Sequence, residues 1–180
     1  MSTYVAFLRA INLGAKRKFP KDAIKSAAEA AGFTEVETYI NTGNVRLETR
    51  MRSRARIEEA LEAAFLADRG FEVPTMVFTA AEVCEIAEDI EELAADVDDL
   101  KAHYVTLLKE KPTAAAIKAV HDLEYDAELA RVRGRAAHLM LTKSFNETRL
   151  INAKPFKALG VGTARNVTVI RAVATKWCGG

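Results

Sequence analysis

Apolar and polar residues follow one another along the first half of the chain in the pattern of short strands and helices. Four apolar runs rich in β-branched and aromatic side chains indicate strands, at residues 4–9, 36–40, 45–49 and 73–78. Apolar residues recur at helical spacing after Pro20 and again after Ser53, a residue type that favours helix N-caps. Thr79 and Glu82 form the capping-box pattern of a further helix, which extends to about Leu93. The order strand, helix, strand, strand, helix, strand is that of a ferredoxin-like domain, with one helix appended.

The second half of the chain repeats much of this pattern. It begins with a strand at residues 103–108, a helix that starts at Thr113, and a hairpin of two strands around Gly134. A short helix at residues 156–159 follows. Residues 166–177 are ambiguous, because β-branched side chains alternate there as in a strand while the same stretch also has a helical apolar face. Intrinsic propensity favours the strand.

We therefore predict an α+β fold, in which two ferredoxin-like halves with extra helices form one compact protein. The predicted halves are residues 1–97, which carry the appended acidic helix, and residues 98–180, which carry the C-terminal stretch. No residue-by-residue repeat relates the halves, so the duplication is predicted from topology alone.

The composition is that of a folded protein rather than a disordered one. Among 180 residues, 49% are hydrophobic and 28% are charged. No run of apolar residues is long enough to span a membrane, and the first residues lack the basic and apolar segments of a signal peptide. The two cysteines form no CxxC pair, and the three histidines share no ligand spacing. We expect a cytoplasmic protein without a disulfide, metal, cofactor or membrane partner.

The charges are distributed unevenly, although the formal net charge is only +1. Residues 1–25 contain six basic residues and one acidic residue, and residues 143–180 contain seven basic residues and one acidic residue. Between them, residues 80–100 contain nine acidic residues and no basic one. We interpret this pattern as a polarised surface, with basic chain ends and an acidic helix in the middle.

The polar residues of two short segments are the strongest candidates for a binding site. The segment FLRAINLGAKRKFP covers residues 7–20, and TYINTGNV covers residues 38–45. In the predicted topology a crossover helix joins the first two strands, so these strands run parallel and the two segments meet at one edge of the sheet. The first helix begins at the same edge, with free N–H groups and the positive end of its dipole. Together these features favour an anionic ligand, held by Arg9, Asn12, Lys16, Lys18, Tyr39, Asn41 and Asn44.

These residues also have a purely structural interpretation. The Asn-Thr-Gly-Asn turn at residues 41–44 consists of residue types that tolerate the positive φ of a tight turn, and Asn12 can shape a loop in the same way. The Lys-Arg-Lys run at residues 16–18 is, in the simpler interpretation, a solvated run of charge. Arg9 directly follows apolar residues, where a guanidinium needs a partner, either a structural carboxylate or a ligand.

The two segments resemble the signature segments of a bacterial protein family, domain of unknown function 1697. Members of that family typically read close to LLRGINVGGKNKVPM and TYIQSGNVVF there. The tail TARNVTVIRAV likewise resembles the family's TTRNWNTVTKLAEL. The resemblance implies two ferredoxin-like halves and a helical tail with Thr163 or Asn166 as its N-cap, and we adopt the helix over the propensity for a strand. It implies no activity, so it assigns no catalytic residue.

The match to the family also adds two candidate residues and shows several departures. Arg165 and Asn166 match the family pattern, and they would join the ligand site if the C-terminal helix docks at the N-terminal edge. Ala10 stands where the family usually has glycine, and Val167 replaces the tryptophan that usually follows the Arg-Asn pair.

The sequence thus predicts a binding module for an anionic ligand, either a small molecule with a phosphate or carboxylate group or a nucleic acid. Nucleic acid is the less favoured ligand, because Tyr4 and Phe7 stand at odd spacing and point to opposite faces of their strand. One alternative is an enzyme that acts on a small phosphorylated or carboxylated metabolite, with Tyr39 and Lys16 as its acid–base pair. A second is a protein-interaction module that uses the acidic helix as its docking face. The sequence specifies no oligomeric state.

Overall fold

The computed structural model describes residues 1–178 and confirms an α+β fold built on two four-stranded sheets. The chain divides into two compact units. Unit 1 comprises Met1–Cys84 and the chain from Val173 onward, and unit 2 comprises Glu85–Ala172. The predicted division between residues 97 and 98 stays a prediction.

Unit 1 has the element order of a ferredoxin-like domain. Its elements are β1 (Ser2–Leu8), α1 (Lys21–Ala30), β2 (Thr34–Tyr39), β3 (Asn44–Thr49), α2 (Arg54–Arg69) and β4 (Thr75–Thr79), followed by α3 (Ala80–Ala95), which continues into unit 2. The strand order is β2-β3-β1-β4, and each neighbouring pair is antiparallel. Strands β1 and β2 therefore run parallel to each other without being neighbours, as predicted.

Unit 2 repeats this topology with different connections. Its elements are β5 (Ala102–Leu108), α4 (Ala114–His121), β6 (Glu128–Arg133), β7 (Ala136–Leu141), two single 3-10 turns (Phe145–Glu147 and Leu150–Asn152), α5 (Lys154–Lys157), β8 (Gly162–Asn166) and α6 (Val167–Trp177). The strand order is β6-β7-β5-β8, again antiparallel throughout. Helix α6 begins in unit 2 and ends in unit 1.

Local signals in the sequence placed several helix ends correctly. The Ser53 side chain accepts a hydrogen bond from the Arg56 backbone N–H at 3.4 Å, and Thr113 accepts one from Ala116 at 3.2 Å. The Thr79 backbone N–H donates to the Glu82 carboxylate at 2.7 Å while the Glu82 N–H donates to the Thr79 hydroxyl, which is the predicted capping box.

In the C-terminal stretch, residues 167–177 form a helix instead of the strand that propensity favoured. The last strand, β8, ends at Asn166, and the β-branched residues beyond it belong to helix α6. Asn166 accepts a hydrogen bond from the Thr168 backbone N–H at 2.8 Å, so Asn166 is the N-cap and Thr163 is a residue of β8. Burial of Ile170, Val173 and Trp177 along one helical face outweighs the β-propensity of the valines.

The core of unit 1 explains why its first strand is apolar on both faces. Alternate residues of β1 pack with α1 and α2 on one face of the sheet, and the remaining residues, Val5 and Phe7, are also fully buried. The edge strand β4 is covered by α2, because Glu58 and Glu62 accept hydrogen bonds from the backbone N–H groups of Val77 at 2.9 Å and Thr75 at 2.8 Å.

Candidate functional site

The two candidate segments of unit 1 meet at the carboxyl end of β1. The backbone N–H of Leu8 donates to the carbonyl of Gly43 at 2.8 Å, and the Asn12 side chain donates to the carbonyl of Asn41 at 2.7 Å. Gly43 adopts φ +76°, and a Cβ there would lie 2.6 Å from the Cβ of Leu8. The turn therefore requires glycine for both its conformation and its packing. We call the loop of residues 9–19 together with the turn of residues 40–44 the N-terminal edge.

Asn12 organises the loop of the N-terminal edge. Its amide oxygen accepts from the backbone N–H of Phe19 at 2.8 Å, and its amide nitrogen donates to the Phe19 carbonyl at 3.0 Å. The Asn12 backbone N–H donates to the carbonyl of Arg17 at 2.9 Å. One side chain thus closes the loop and also joins it to the turn, and Asn12 can do so at φ +54° because asparagine tolerates this region.

Arg17 has a structural role in the same loop. Its Nε donates to the carbonyl of Ala10 at 2.5 Å and its Nη2 donates to the carbonyl of Glu72 at 2.6 Å. The guanidinium also lies over the ring of Phe71, 4.6 Å from the centroid. Arg17 therefore holds the loop against the segment before β4.

The loop is locally strained. Ala10 and Arg17 have φ values of +58° and +61°, in the left-handed region that side chains other than those of Asn and Asp rarely adopt. Ile40, in the turn, has φ +49°, which is an outlier for a β-branched residue. Such strain persists only where surrounding bonds hold it, and those of Asn12 and Arg17 hold it here.

Three basic side chains of the loop point into solvent. Arg9, Lys16 and Lys18 are all exposed, and none of them forms an ion pair within residues 1–178. Of the two partners that the sequence suggested for Arg9, a structural carboxylate is therefore not found within residues 1–178. Helix α1 begins directly after the loop, and no side chain caps its N-terminus at Pro20, although Asp22 lies in its first turn.

Tyr39, Asn41 and Asn44 belong to the turn. Asn44 is fully buried, and its amide nitrogen donates to the carbonyl of Tyr39 at 3.0 Å and to the Thr42 hydroxyl at 2.9 Å. The Tyr39 ring contacts the Trp177 ring edge-on, with centroids 6.5 Å apart, and Asn41 is exposed. Asn44 therefore stabilises the turn, whereas the exposed Asn41 side chain lies beside the basic loop.

Arg165 and Asn166 lie on β8, in unit 2. The Arg165 guanidinium is buried and donates to the Thr163 hydroxyl at 2.8 Å and to the Ala164 carbonyl at 2.9 Å. Burial lowers the pKa of Arg165 to about 10. Asn166 caps α6. Their participation in a site with the N-terminal edge stays a prediction.

Two of the three histidines come together, which their spacing in the sequence did not indicate. His103 on β5 and His138 on β7 are buried, and the Nε2 of His103 lies 3.1 Å from the Nδ1 of His138. Burial lowers the pKa of His103 to about 4 and that of His138 to about 3, so both imidazoles are neutral near pH 7. Their outer ring nitrogens form no hydrogen bond to any residue the structure describes. Residues 1–178 contain no cluster of three or more metal-ligating side chains.

A polar cavity in unit 2 also escaped the sequence reasoning. It has a volume of about 620 Å³ and lies between the start of β6 and the 3-10 turns that precede α5. The buried carboxylate of Glu128 forms part of its wall. One signal was available in the sequence: Glu128 alternates with Ala130 and Val132, so a charge occupies an inward position of a strand.

The topology and the polar edge define the class of protein: an α+β chain with two ferredoxin-like halves, the first of which presents a closed basic loop. The chain belongs to the family described as protein of unknown function DUF1697, whose model matches residues 1–138. It is similar in structure to the conserved bacterial protein SP0830 from Streptococcus pneumoniae, with a TM-score of 0.71 and 21% sequence identity over 98% of each chain, which shows a shared fold. No curated protein matches the chain. No helix within residues 1–178 is long and apolar enough to cross a membrane.

Proposed function

We propose that the N-terminal edge binds a small molecule that carries a phosphate or carboxylate group. The observation that carries this proposal is the exposure of Arg9, Lys16 and Lys18 on a loop whose backbone is bonded in place. Some arginines of unit 1 are neutralised by nearby carboxylates, as Arg46 is by Glu48 at 2.7 Å and Arg54 is by Glu82 at 2.8 Å. The basic side chains of the loop have no such partner within residues 1–178 and are available to an anion.

The bonding of the loop supports binding rather than simple solvation of the charges. Asn12 and Arg17 contribute side-chain hydrogen bonds to four backbone carbonyls, so the loop is ordered before a ligand arrives. A ligand that meets an ordered site loses less free energy to ordering than one that meets a flexible loop. Ala10 has a left-handed backbone conformation, which costs stability. Such strained residues are typical of functional loops.

The acidic helix is the weaker alternative, because many of its carboxylates are already paired. Glu82 pairs with Arg54 in unit 1, and in unit 2 Glu91 pairs with Arg171 at 2.6 Å. Arg133 pairs with both Asp89 and Glu92. These ion pairs reduce the negative charge that α3 would offer a basic partner.

The test compares two arginine variants with the same change in charge. Arg9→Gln and Arg52→Gln each remove one exposed guanidinium from unit 1, and Arg52 lies beyond the opposite end of β1, where Ser2 pairs with Thr49. We would measure thermal shifts with a panel of nucleotides, sugar phosphates and carboxylates, and then determine Kd for each ligand that shifts Tm. Loss of a charge-assisted hydrogen bond in Arg9→Gln weakens binding by roughly 10- to 100-fold, whereas Arg52→Gln leaves Kd unchanged.

Three outcomes would count against the proposal. Equal effects of the two variants would indicate a non-specific electrostatic attraction. Binding of oligonucleotides alone, with a steep dependence on salt, would replace the small molecule by nucleic acid. A panel without any shift at low or moderate salt would leave the loop a structural feature of the fold.

A further inference from the structure

Unit 2 contains a second polar site, which is independent of the N-terminal edge. The cavity of about 620 Å³ falls within the usual range for small-molecule sites. Its wall includes acidic, basic and amide side chains, and those used below are Asp126, Glu128, Lys143, Asn146 and Arg149. The proposed function of unit 1 uses none of them.

The back wall of the cavity is a buried carboxylate with a complete set of partners. Glu128 accepts hydrogen bonds from the Thr148 hydroxyl at 2.6 Å, from the backbone N–H groups of Arg149 at 2.9 Å and Leu150 at 2.8 Å, and from the Lys143 ammonium at 2.7 Å. Burial by itself would raise the pKa of Glu128, but these hydrogen bonds outweigh it and lower the pKa to about 2. Glu128 is therefore ionised at all ordinary pH values, and it fixes the loop of residues 143–150 around the cavity.

Burying the charge of Glu128 is a costly way to hold a loop. Removing a carboxylate such as that of Glu128 from water costs several kcal/mol in general terms, and its partner Lys143 stays partly exposed. The pair does, however, fix the backbone around Arg149 on the rim of a polar cavity. Buried charges that order a cavity wall are typical of binding sites.

Two charged groups on the cavity wall have no partner within the described part of the chain. The Arg149 guanidinium forms no hydrogen bond or ion pair there, since only the backbone N–H of Arg149 is bonded. The Asp126 carboxylate is likewise unpaired, since only the Asp126 carbonyl accepts a hydrogen bond, from Lys143 at 3.3 Å. The amide of Asn146, which is also exposed, adds a neutral donor and acceptor.

The charges of the wall determine the class of ligand that fits. A guanidinium binds a carboxylate through two parallel hydrogen bonds, and a carboxylate such as that of Asp126 binds an ammonium group. A dianion is disfavoured, because three acidic residues line the cavity against two basic ones and Lys143 is already paired with Glu128. A metal ion is disfavoured by the neighbouring cations. We propose that this cavity binds a small zwitterion of the α-amino acid class, with its carboxylate on Arg149 and its ammonium group on Asp126.

The test is a titration of the intact protein with each of the twenty standard amino acids, followed by NMR of the backbone amides. We expect at least one amino acid to shift the amide signals of residues 143–149, and matched compounds that lack either the amine or the carboxylate to bind at least 10-fold more weakly. Arg149→Gln and Asp126→Asn should each weaken binding by about 10- to 100-fold. Neither side chain bonds to the fold, so Tm should hardly change.

Two control variants separate this site from the rest of the molecule. Asp122→Asn makes the same chemical change as Asp126→Asn at an exposed helix end outside the cavity, and should leave Kd unchanged. Arg9→Gln removes the guanidinium used in the proposed function of unit 1, and should also leave amino acid binding unchanged. The proposal is overturned if no amino acid shifts these signals, if carboxylic acids without an amine bind equally well, or if the cavity variants behave like the controls.

Discussion

The two units share one strand order but differ in the ionisable groups that they bury. In unit 1 the loop and turn of the N-terminal edge are held largely by neutral amides, such as those of Asn12 and Asn44, although the carboxylate of Glu58 is buried under β4. In unit 2 ionisable groups lie inside, as the histidine pair and Glu128 do. The comparison shows that topology does not determine how a ferredoxin-like unit responds to protons. Unit 1 contains no histidine, so its stability depends less on pH just below 6.5 than that of unit 2, which buries two histidines whose pKa values are lowered by folding.

The largest expected effect is the loss of stability of unit 2 in acid. The pKa of His103 is lowered from 6.5 to about 4 in the folded protein, so below pH 6.5 the unfolded chain binds the proton more readily. The stability that neutral His103 contributes is therefore fully present above pH 6.5. As the pH falls towards 4, the free energy of unfolding decreases by roughly 3 kcal/mol because of His103 alone. His138 has the same sign, and Glu128 adds a further loss as pH falls from about 4.5 towards 2.

Residue-resolved hydrogen exchange between pH 7 and pH 4 measures this difference. Amides of β5 and β7 should lose protection more steeply than those of β1 and β3. The control is His138→Gln. In this variant the protection of β5 and β7 should depend less steeply on pH, whatever its absolute stability. If amide protection fell equally steeply with pH in the two sheets, the proposed difference between the units would be wrong.

The next effect concerns the glycines of the two equivalent hairpins. Gly43→Ala in the β2–β3 turn should destabilise the protein by about 3 kcal/mol, because the new Cβ meets Leu8 in a buried turn that already has positive φ. Gly134→Ala in the β6–β7 turn, at φ +56° with nothing within 4 Å of the new Cβ, should cost only about 1 kcal/mol. Denaturant unfolding measures both values. Similar losses at the two turns would show that packing against Leu8 contributes little.

A smaller effect is expected at the residue that closes the basic loop. Asn12→Gly keeps the backbone at φ +54° without strain but removes the side-chain hydrogen bonds to Phe19 and Asn41, and should cost roughly 2 kcal/mol. The same variant should reduce hydrogen-exchange protection of the Phe19 amide and leave unit 2 unaffected. Unchanged protection at Phe19 would mean that Arg17 alone holds the loop.

The smallest expected effect has the opposite sign. Ala10→Gly should stabilise the protein by up to about 1 kcal/mol, because relief of the left-handed strain at φ +58° exceeds the gain in unfolded-state entropy. Thermal unfolding measures the change. The matched variant Ala15→Gly, in the same exposed loop but outside the residues with positive φ, should destabilise slightly or have no effect.

Much of the fold could be predicted from the sequence, because local signals and tertiary packing agree along most of the chain. The caps at Ser53, Thr79 and Thr113 and the apolar faces of the helices all indicated the elements that form. The exception is β8, a short strand with alternating burial but few hydrophobic residues. Intrinsic propensity predicts a strand in the residues that follow it instead. Resemblance to the family, rather than propensity, gave the helical tail.

The candidate sites were less accessible to sequence reasoning, since they depend on pairing across the sheet. The meeting of the two N-terminal segments followed from topology. The hydrogen bonds of Asn12 to Phe19 and Asn41, and the exposure of the cations beside them, can be recognised only once the conformation of the loop is known. His103 and His138 are brought together by the register of β5 with β7, in which Val105 lies opposite His138, and no spacing along the chain encodes that register.

The path of the chain through unit 1 has a consequence for the order in which the protein can assemble during synthesis. The indole N–H of Trp177 donates to the Glu37 carboxylate at 3.2 Å, and its ring packs on Tyr39. A ribosome releases Trp177 only after every residue of unit 2, so the unit that begins first is finished last. Until then Tyr39 on β2 lacks its contact with Trp177, and a stall late in translation would leave the N-terminal edge without that support.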